Sequence, residues 1–239
     1  MLHKSFLTQP RKILWGHDIK VRERARIVNY MIEIMQIFEQ SEETVFRSIL
    51  ILDLYFKKRN TPIQKNELNI LGVVSIFLAS KLCERTPLTM RQIVKDICRS
   101  QFSAKTIRRR EQEMFCMIDM NPNLPTLFTI TSSLIEILNF SDICREAINK
   151  YAMLLLKMCV FESRILSSYT FGQLAAFCVI ISMKLYENTH PGFEPDGYNL
   201  KIMRLFNLQK DKILYNLNFL RDYVSAFKTN YYFNSLQWN

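Results

Sequence analysis

The chain has 239 residues, 49% of them hydrophobic, and it carries a formal net charge of +10. A chain of this length can bury one large core or two small ones, and its scarcity of glycine favours helices over sheets with many tight turns. The positive charge favours acidic partners or nucleic acid. The first residues lack the apolar core of a signal peptide, so we expect an intracellular protein.

Helical periodicity begins near residue 20 and continues with short breaks to about residue 225. In the first half it predicts five helices, over 20–40, 42–58, 64–84, 89–99 and 103–118. Ser41 is placed to cap the second helix, and Thr89 forms a capping box with Gln92 at the start of the fourth. The third helix contains the run 70–80, which is apolar nearly all round, so we expect it to be buried on every side.

The second half repeats this scheme after a break at Asn121–Pro125. Its predicted helices cover 126–138, 142–162, 167–187, 198–206 and 209–226, and the third of them is again apolar all round. The pattern therefore predicts an all-α protein of two tandem five-helix bundles, each around a buried central helix. The expected divisions are a short N-terminal segment (1–19), a first bundle (20–124), a second bundle (125–226) and a tail (227–239).

An acidic residue, Asp53, lies inside a run that is apolar on both sides. A buried carboxylate needs a cation or hydrogen-bond donors, because an unpaired buried charge destabilises a fold severely. Arg24 is the candidate partner, since a guanidinium can make two parallel hydrogen bonds to a carboxylate. We expect this pair to be structural.

Motifs for catalysis or metal binding are not found in the sequence. The five glycines form no phosphate-binding loop, and the three histidines lie in terminal or loop segments without a nearby nucleophile. The six cysteines are scattered in apolar helical contexts with no C-x-x-C pair, so we expect reduced core thiols. The sequence thus predicts no enzyme, no cofactor, no metal site and no membrane partner.

Four short motifs resemble the cyclin box of A- and B-type cyclins. They are Val28-Asn-Tyr-Met31, Glu43-Thr-Val45, Leu78-Ala-Ser-Lys81 and Pro125-Thr126. The resemblance extends almost without gaps from Arg22 to Thr126, whereas 127–222 is similar only in pattern.

Five dispersed positions of the cyclin signature also match, with only leucine changed to isoleucine: Arg24, Asp53, Ile70, Lys81 and Glu111. The resemblance implies a regulatory subunit that forms a heterodimer with a cyclin-dependent protein kinase and activates it toward its protein substrates. Similarity to A- and B-type boxes further implies cell-cycle control at the G2/mitotic stage, in the nucleus and cytoplasm.

Two of these positions have a simpler alternative interpretation. Lys81 ends a buried helix, where a cation suits the helix dipole, and Glu111 could form a surface pair with Arg108. In cyclins, by resemblance, the matching lysine and glutamate instead anchor the regulatory helix of the kinase by hydrogen bonds to its backbone. By register, the apolar residues Leu82, Phe115 and Met120 correspond to cyclin residues that pack on that helix; their alternative is ordinary core packing.

The first predicted helix departs from the family pattern. Many cyclins dock substrates there through an apolar patch, which by resemblance corresponds here to Glu23, Arg26, Ile27 and Tyr30. Two apolar positions of that patch have become charged, which puts docking of Arg-x-Leu peptides in doubt.

A basic transcription factor with two cyclin-like repeats is the alternative function. Its phosphate-contacting surface would use a set of basic residues, Lys57–Arg59, Lys95, Arg99, Lys105 and Arg108–Arg110. A solvated helix face is the usual explanation of such charge runs, and no cysteine pair precedes the repeats to form a zinc ribbon. We therefore expect no nucleic-acid partner.

Overall fold

The structure, a computed structural model, describes residues 13–118, 124–208 and 210–230. Within these ranges the chain forms helices and no strand. The ten α-helices are α1 (Val21–Ile37), α2 (Glu42–Lys58), α3 (Leu68–Cys83), α4 (Ala104–Met117), α5 (Leu127–Leu138), α6 (Asp142–Phe161), α7 (Ser163–Ser168), α8 (Phe171–Thr189), α9 (Asp196–Phe206) and α10 (Lys210–Asn230). The predicted all-α architecture is confirmed.

The chain divides into two compact units. The first contains the described residues up to Thr126 together with 160–167, and the second contains 127–159 and the described residues from Ser168 onward. Periodicity did not predict that 160–167, from the later half of the sequence, belongs to the first unit.

Helix α3 is the centre of the first unit. From Ile70 to Ser80 every residue is buried, and α3 contacts α1, α2 and α4. By length and composition alone, the segment Lys65–Cys83 could cross a membrane, but 67% of its most apolar window is buried within the fold. This burial is what the all-round apolar pattern predicts for a central helix.

Polar bonds fix the C-terminal end of α3. Ser80 Oγ donates to Gln40 Oε1 at 2.7 Å and accepts from the backbone N–H of Leu88 at 2.8 Å. Glu84 Oε1 accepts hydrogen bonds from Ser41 and from the Thr44 hydroxyl at the start of α2. The end of α3 is therefore held against the first turn of α2, which orients the side chains that follow Ser80.

The predicted fourth helix over 89–99 takes a different form. The capping box is present, since Thr89 N–H donates to Gln92 Oε1 at 2.9 Å, but Gln92–Ile97 is π-helical. The N–H of Cys98 accordingly donates to the carbonyl of Ile93, five residues back, at 2.9 Å. Such wider turns are short insertions in helical segments, and apolar periodicity does not reveal them.

The second unit has α8 as its central helix, which contacts α5, α9 and α10. Its residues from Leu174 to Val179 are all buried. The single helix predicted over 167–187 is wrong in one respect, because α7 ends at Ser168 and α8 begins at Phe171. Thr170 starts the new helix: its hydroxyl accepts from Gln173 N–H at 3.2 Å, and Gln173 Oε1 accepts from Thr170 N–H at 3.0 Å. This capping box was readable in the sequence.

Four of the six cysteines are buried with free thiols, as expected: Cys98, Cys144, Cys159 and Cys178. The expectation is wrong for Cys116, which is exposed on α4, and Cys83 is only partly buried. Helical periodicity shows which face of a helix is apolar, but it does not decide whether a residue at the edge of that face is buried or exposed.

Close packing of α1 on α3 depends on Gly72. A Cβ atom at this position would lie 2.7 Å from both Cδ1 and Cγ1 of Ile27. We expect Gly72→Ala to lower the free energy of unfolding by about 1 kcal/mol, because overpacking costs about 1–3 kcal/mol while alanine regains up to about 1 kcal/mol of helix propensity. Gly197 in α9 is the matched control, since nothing lies within 4 Å of its Cβ position, and Gly197→Ala should stabilise slightly. Chemical denaturation of both variants measures the difference, and equal effects would contradict the packing argument.

Candidate functional site

The predicted ion pair between Arg24 and Asp53 is present in the first unit. Arg24 Nε donates to Asp53 Oδ1 at 2.8 Å, and Nη2 donates to Oδ2 at 2.6 Å. Its Nη1 donates to the carbonyl of Val160 at 2.7 Å, and the arginine is 0% exposed. A fully buried cation with this set of acceptors is a structural element. Ile70, the third signature position inside the unit, is a core residue of α3.

The other two signature positions meet at the surface. Lys81 Nζ lies 2.6 Å from Glu111 Oε1, and the ammonium sits 3.8 Å from the ring centroid of Phe77. The side chain of Lys81 is 43% exposed, whereas that of Glu111 is 16% exposed. The ring and the carboxylate together hold the lysine in one place while leaving one side of it open to solvent.

Apolar side chains flank this ion pair. Leu82 is 39% exposed beside Lys81, and Phe115, one helical turn after Glu111 on α4, is partly buried. We call these four residues (Lys81, Leu82, Glu111 and Phe115) the α3–α4 face. Met120, the fifth predicted member, lies outside the described residues. Core packing does not account for Leu82, which is too exposed for an interior residue.

Glu111 does not pair with Arg108. The alternative interpretation placed a surface ion pair between these two residues of α4, but the carboxylate bonds Lys81 on α3 instead. Because the two partners are 30 residues apart in sequence, the contact joins two helices. The pair therefore links the C-terminal end of α3 to α4.

A second polar cluster ties α4 to the rest of the first unit. Tyr55 donates to Glu113 Oε1 at 2.6 Å and accepts from Arg59 Nη1 at 2.9 Å. Arg110 bonds both Glu113 at 2.8 Å and Glu67 at 3.0 Å, and Glu67 also pairs with Arg59 at 3.1 Å. These five residues, named the α4 network from here on, connect α2, the turn before α3, and α4. No motif in the sequence revealed them, because each charge alone looks like a surface residue.

The α4 network shifts the pKa values of its members. Burial acts to raise the pKa of Glu113, but hydrogen bonds from Tyr55 and Arg110 outweigh it, so its pKa lies below the ordinary range. Glu67 behaves likewise: burial opposes the change, but bonds from Gln64 and Arg59 lower its pKa. Burial and, to a lesser extent, the hydrogen bond to Glu113 raise the pKa of Tyr55 to about 12.

The lowered carboxyl pKa values predict an acid-sensitive first unit. A group whose folded pKa is depressed contributes stability above its unfolded pKa, about 4.3 for glutamate, and that contribution is lost as the pH falls through the folded value. We expect Glu67→Gln with Glu113→Gln to lower the free energy of unfolding at pH 7 by about 1–2 kcal/mol, a value discounted for partial exposure. The decline of stability below pH 4.3 should be shallower in this variant than in the wild type.

Urea denaturation at pH 7, 5, 4 and 3 measures both effects. Glu146→Gln serves as the control, because Glu146 is exposed and has no ion-pair partner among the described residues. Parallel pH profiles for the wild type and the double variant would contradict the assignment.

The candidate docking positions on α1 line an open groove of about 1310 Å³. Glu23 accepts a hydrogen bond from Lys20 N–H at 2.9 Å and pairs with Lys65, and Arg26 is exposed. Ile27, only 4% exposed, belongs to the core. Tyr30 donates to the carbonyl of Ile97 at 3.2 Å, and burial raises its pKa. The groove thus has a charged edge where the family pattern has apolar side chains.

Apolar residues that sequence reasoning missed also line this groove. Ile34 and Phe38 contribute to its wall, and Ile37 is 75% exposed at the end of α1. The signal was present in the sequence, since three more apolar residues follow the predicted patch at helical spacing.

The basic residues considered for nucleic-acid binding do not form one common surface, because some of them are paired or partly buried. Arg59 and Arg110 are taken up by the α4 network, and Lys57 is partly buried, which lowers its pKa. Six of the nine residues remain exposed: Lys58, Lys95, Arg99 and, on α4, Lys105, Arg108 and Arg109. The basic surface is consequently smaller than the sequence indicated.

Comparison with known proteins identifies the family. The model of the cyclin N-terminal domain matches residues 2–122, half of the chain, and the chain belongs to the cyclin family. It is 24% identical over 193 residues to the G2/mitotic-specific cyclin-B3 of Caenorhabditis elegans, covering 79% of this chain and 47% of that protein. It is 26% identical over 175 residues to the G2/mitotic-specific cyclin-B of Hydra viridissima, covering 72% of this chain and 42% of that protein. The chain therefore spans less than half the length of these relatives.

Two solved structures share the fold. A viral cyclin from herpesvirus saimiri superposes with a TM-score of 0.76 at 16% identity, covering 93% of this chain and 94% of the viral one. A chain of the CAK complex of Chaetomium thermophilum, bound to ATP-γ-S, superposes with a TM-score of 0.57 at 13% identity, covering 86% of this chain and 64% of that one. At such identities the likeness concerns the fold alone.

Proposed function

We propose that this cyclin is the regulatory subunit of a cyclin-dependent protein kinase, which it binds as a heterodimer and activates without catalysing any reaction itself. The observation that carries the proposal is the α3–α4 face. In this face a partly exposed Lys81–Glu111 pair lies beside the apolar side chains of Leu82 and Phe115. Apolar contacts edged by a few oriented polar groups are typical of stable protein interfaces.

The Lys81–Glu111 pair can bind a helix of the kinase without being broken. An ammonium has three donors, and the bond to Glu111 uses one of them, which leaves two for carbonyl groups at the C-terminal end of a helix. The carboxylate keeps acceptor capacity for a backbone N–H group at the same end of that helix, since the two side-chain atoms lie only 2.6 Å apart. Because each side chain is already held by the other, little conformational entropy is lost on binding.

Activation follows from selective binding. In the proposed mechanism the isolated kinase favours an arrangement in which its regulatory helix is turned away from the catalytic lysine. The α3–α4 face is complementary only to the inward arrangement, and its binding shifts the population toward the active state. The rigidity of the face comes from the fixed end of α3 and from the α4 network. No cofactor is required from the cyclin for this step.

The B-type relatives support a role in cell-cycle control at the G2/mitotic stage, which implies a location in the nucleus and cytoplasm and the protein substrates of the kinase as further partners. The charged edge of the α1 groove, at Glu23 and Arg26, opposes docking of Arg-x-Leu substrates there.

A capture experiment tests the proposed function. Recombinant chain is immobilised, kinases from the source organism are captured, and the bound fraction is assayed on a histone-type substrate. We expect a cyclin-dependent kinase whose activity appears only in the presence of the chain. Recovery of no kinase, together with salt-sensitive binding of duplex DNA, would instead support the transcription-factor alternative.

A further inference from the structure

The solvent-facing side of α4 carries a cluster of cations. Lys105, Arg108 and Arg109 are all exposed, and none of them forms an ion pair or hydrogen bond within the described parts of the chain. We call these three residues the α4 basic cluster. Arg108 is three residues before Glu111, so one member of the cluster lies directly at the edge of the α3–α4 face.

The helix itself gains nothing from this arrangement. The cluster occupies the N-terminal half of α4, whose first turn contains no acidic residue, and cations near a helix N-terminus are disfavoured by the macrodipole. Lys105 and Arg109 are like charges four residues apart, which destabilises a helix further. Local stability therefore does not explain these residues.

Acidic side chains on the same helix do not compensate for the cluster. Glu111 is paired with Lys81, and Glu113 is held by Tyr55 and Arg110. Both carboxylates have thus been directed toward other elements of the first unit. The positive potential of the cluster extends into solvent next to the α3–α4 face.

We propose that the α4 basic cluster is a second contact for the kinase, and that it receives carboxylate side chains on the kinase surface beside the regulatory helix. This inference rests on the proposed function, because continuity with the α3–α4 face is what places the kinase there. Charge complementarity at the edge of an interface mainly raises the association rate and fixes orientation, whereas the α3–α4 face supplies the lasting contacts. The surplus charge of +10 acts in the same direction.

Association kinetics test this role. The purified kinase recovered by capture is mixed with wild-type chain, with Lys105→Gln/Arg108→Gln/Arg109→Gln, or with Arg22→Gln/Lys150→Gln/Arg204→Gln. The last variant removes the same charge from exposed positions without an ion pair in the described chain.

The association rate is measured from 50 to 500 mM salt with unphosphorylated and phosphorylated kinase. We expect the cluster variant to associate about tenfold more slowly at low salt, with a flatter salt dependence and an unchanged dissociation rate. The control should differ from wild type far less.

The outcomes separate the inference from the proposed function. A cluster variant that binds with the wild-type rate and salt dependence overturns the inference and leaves the proposed function standing. If the cluster variant is slower only with the phosphorylated kinase, the cluster binds a phosphate group and not carboxylates. That result overturns the assignment of the partner. Failure of the wild type to bind kinase overturns both, and binding of duplex DNA that is lost in the cluster variant would then assign the cations to nucleic acid.

Discussion

Kinase activation is expected to disappear when Lys81→Ala is combined with Glu111→Ala, while the fold survives. The two side chains form a partly exposed ion pair at 2.6 Å, and pairs of this kind contribute about 0–1 kcal/mol to stability. Their proposed contribution to binding is larger, because losing the charge-assisted hydrogen bonds of both side chains to the kinase backbone costs about 2–4 kcal/mol, or roughly 30- to 1,000-fold in affinity.

Kinase activity on a histone-type substrate is the measurement, titrated against the concentration of each variant. The control is Lys184→Ala with Glu187→Ala, a lysine–glutamate pair at 3.2 Å near the end of the central helix of the second unit. This control removes the same side chains from the corresponding helix and should leave activation intact. A double variant at Lys81 and Glu111 that activates as well as wild type would refute the assignment of the α3–α4 face. Circular dichroism and a melting curve show whether the variant remains folded.

Replacing Asp53 with alanine is expected to lower the free energy of unfolding by about 3–5 kcal/mol, the usual effect of removing one partner from a buried ion pair. Arg24 is 0% exposed and would keep its charge with only the carbonyls of Val160 and Phe161 as acceptors. In a domain whose total stability is about 5–15 kcal/mol, this loss is a third or more of the total at the middle of that range and would lower the melting temperature markedly.

Thermal and urea denaturation measure the effect. Asp222→Ala is the matched control, because Asp222 also pairs with an arginine, Arg221, but both side chains are about 70% exposed. The control should change stability by less than about 1 kcal/mol. A melting temperature of the Asp53 variant equal to that of wild type would show that the carboxylate is not needed by Arg24.

The fold was largely predictable, because the burial of a helix face follows from the spacing of apolar residues along the sequence. The central helices α3 and α8 are apolar all round, so their positions did not depend on knowing their neighbours. The predicted start at 167 is about four residues too early, although the polar residues Ser167 and Ser168 and the capping box at Thr170 mark the new helix. Gln92–Ile97 was predicted as helical but not as π-helical, since the two forms differ in hydrogen bonding more than in pattern.

The candidate site was predictable only through the family resemblance. Lys81 and Glu111 are 30 residues apart, and each has an adequate local explanation, so periodicity and charge alone could not bring them together. The resemblance indicated which residues matter, but not that they contact each other. The α4 network was missed for the same reason: Tyr55, Glu67 and Arg110 come from three separate segments that only the packed fold makes adjacent.

The hydrogen bonds made by Arg24 also have a consequence for the folding of the protein during its synthesis. Arg24 and Asp53 leave the exit tunnel early, but the backbone carbonyls of Val160 and Phe161 that complete the arginine's set of acceptors are made more than 100 residues later. At about 5–20 residues per second, the segment 127–167 takes roughly 2–8 seconds to synthesise after Thr126. During that interval the nascent first unit contains its central helix α3 but lacks residues 160–167. Its core is then incompletely covered, and chaperones would protect it until those residues are made.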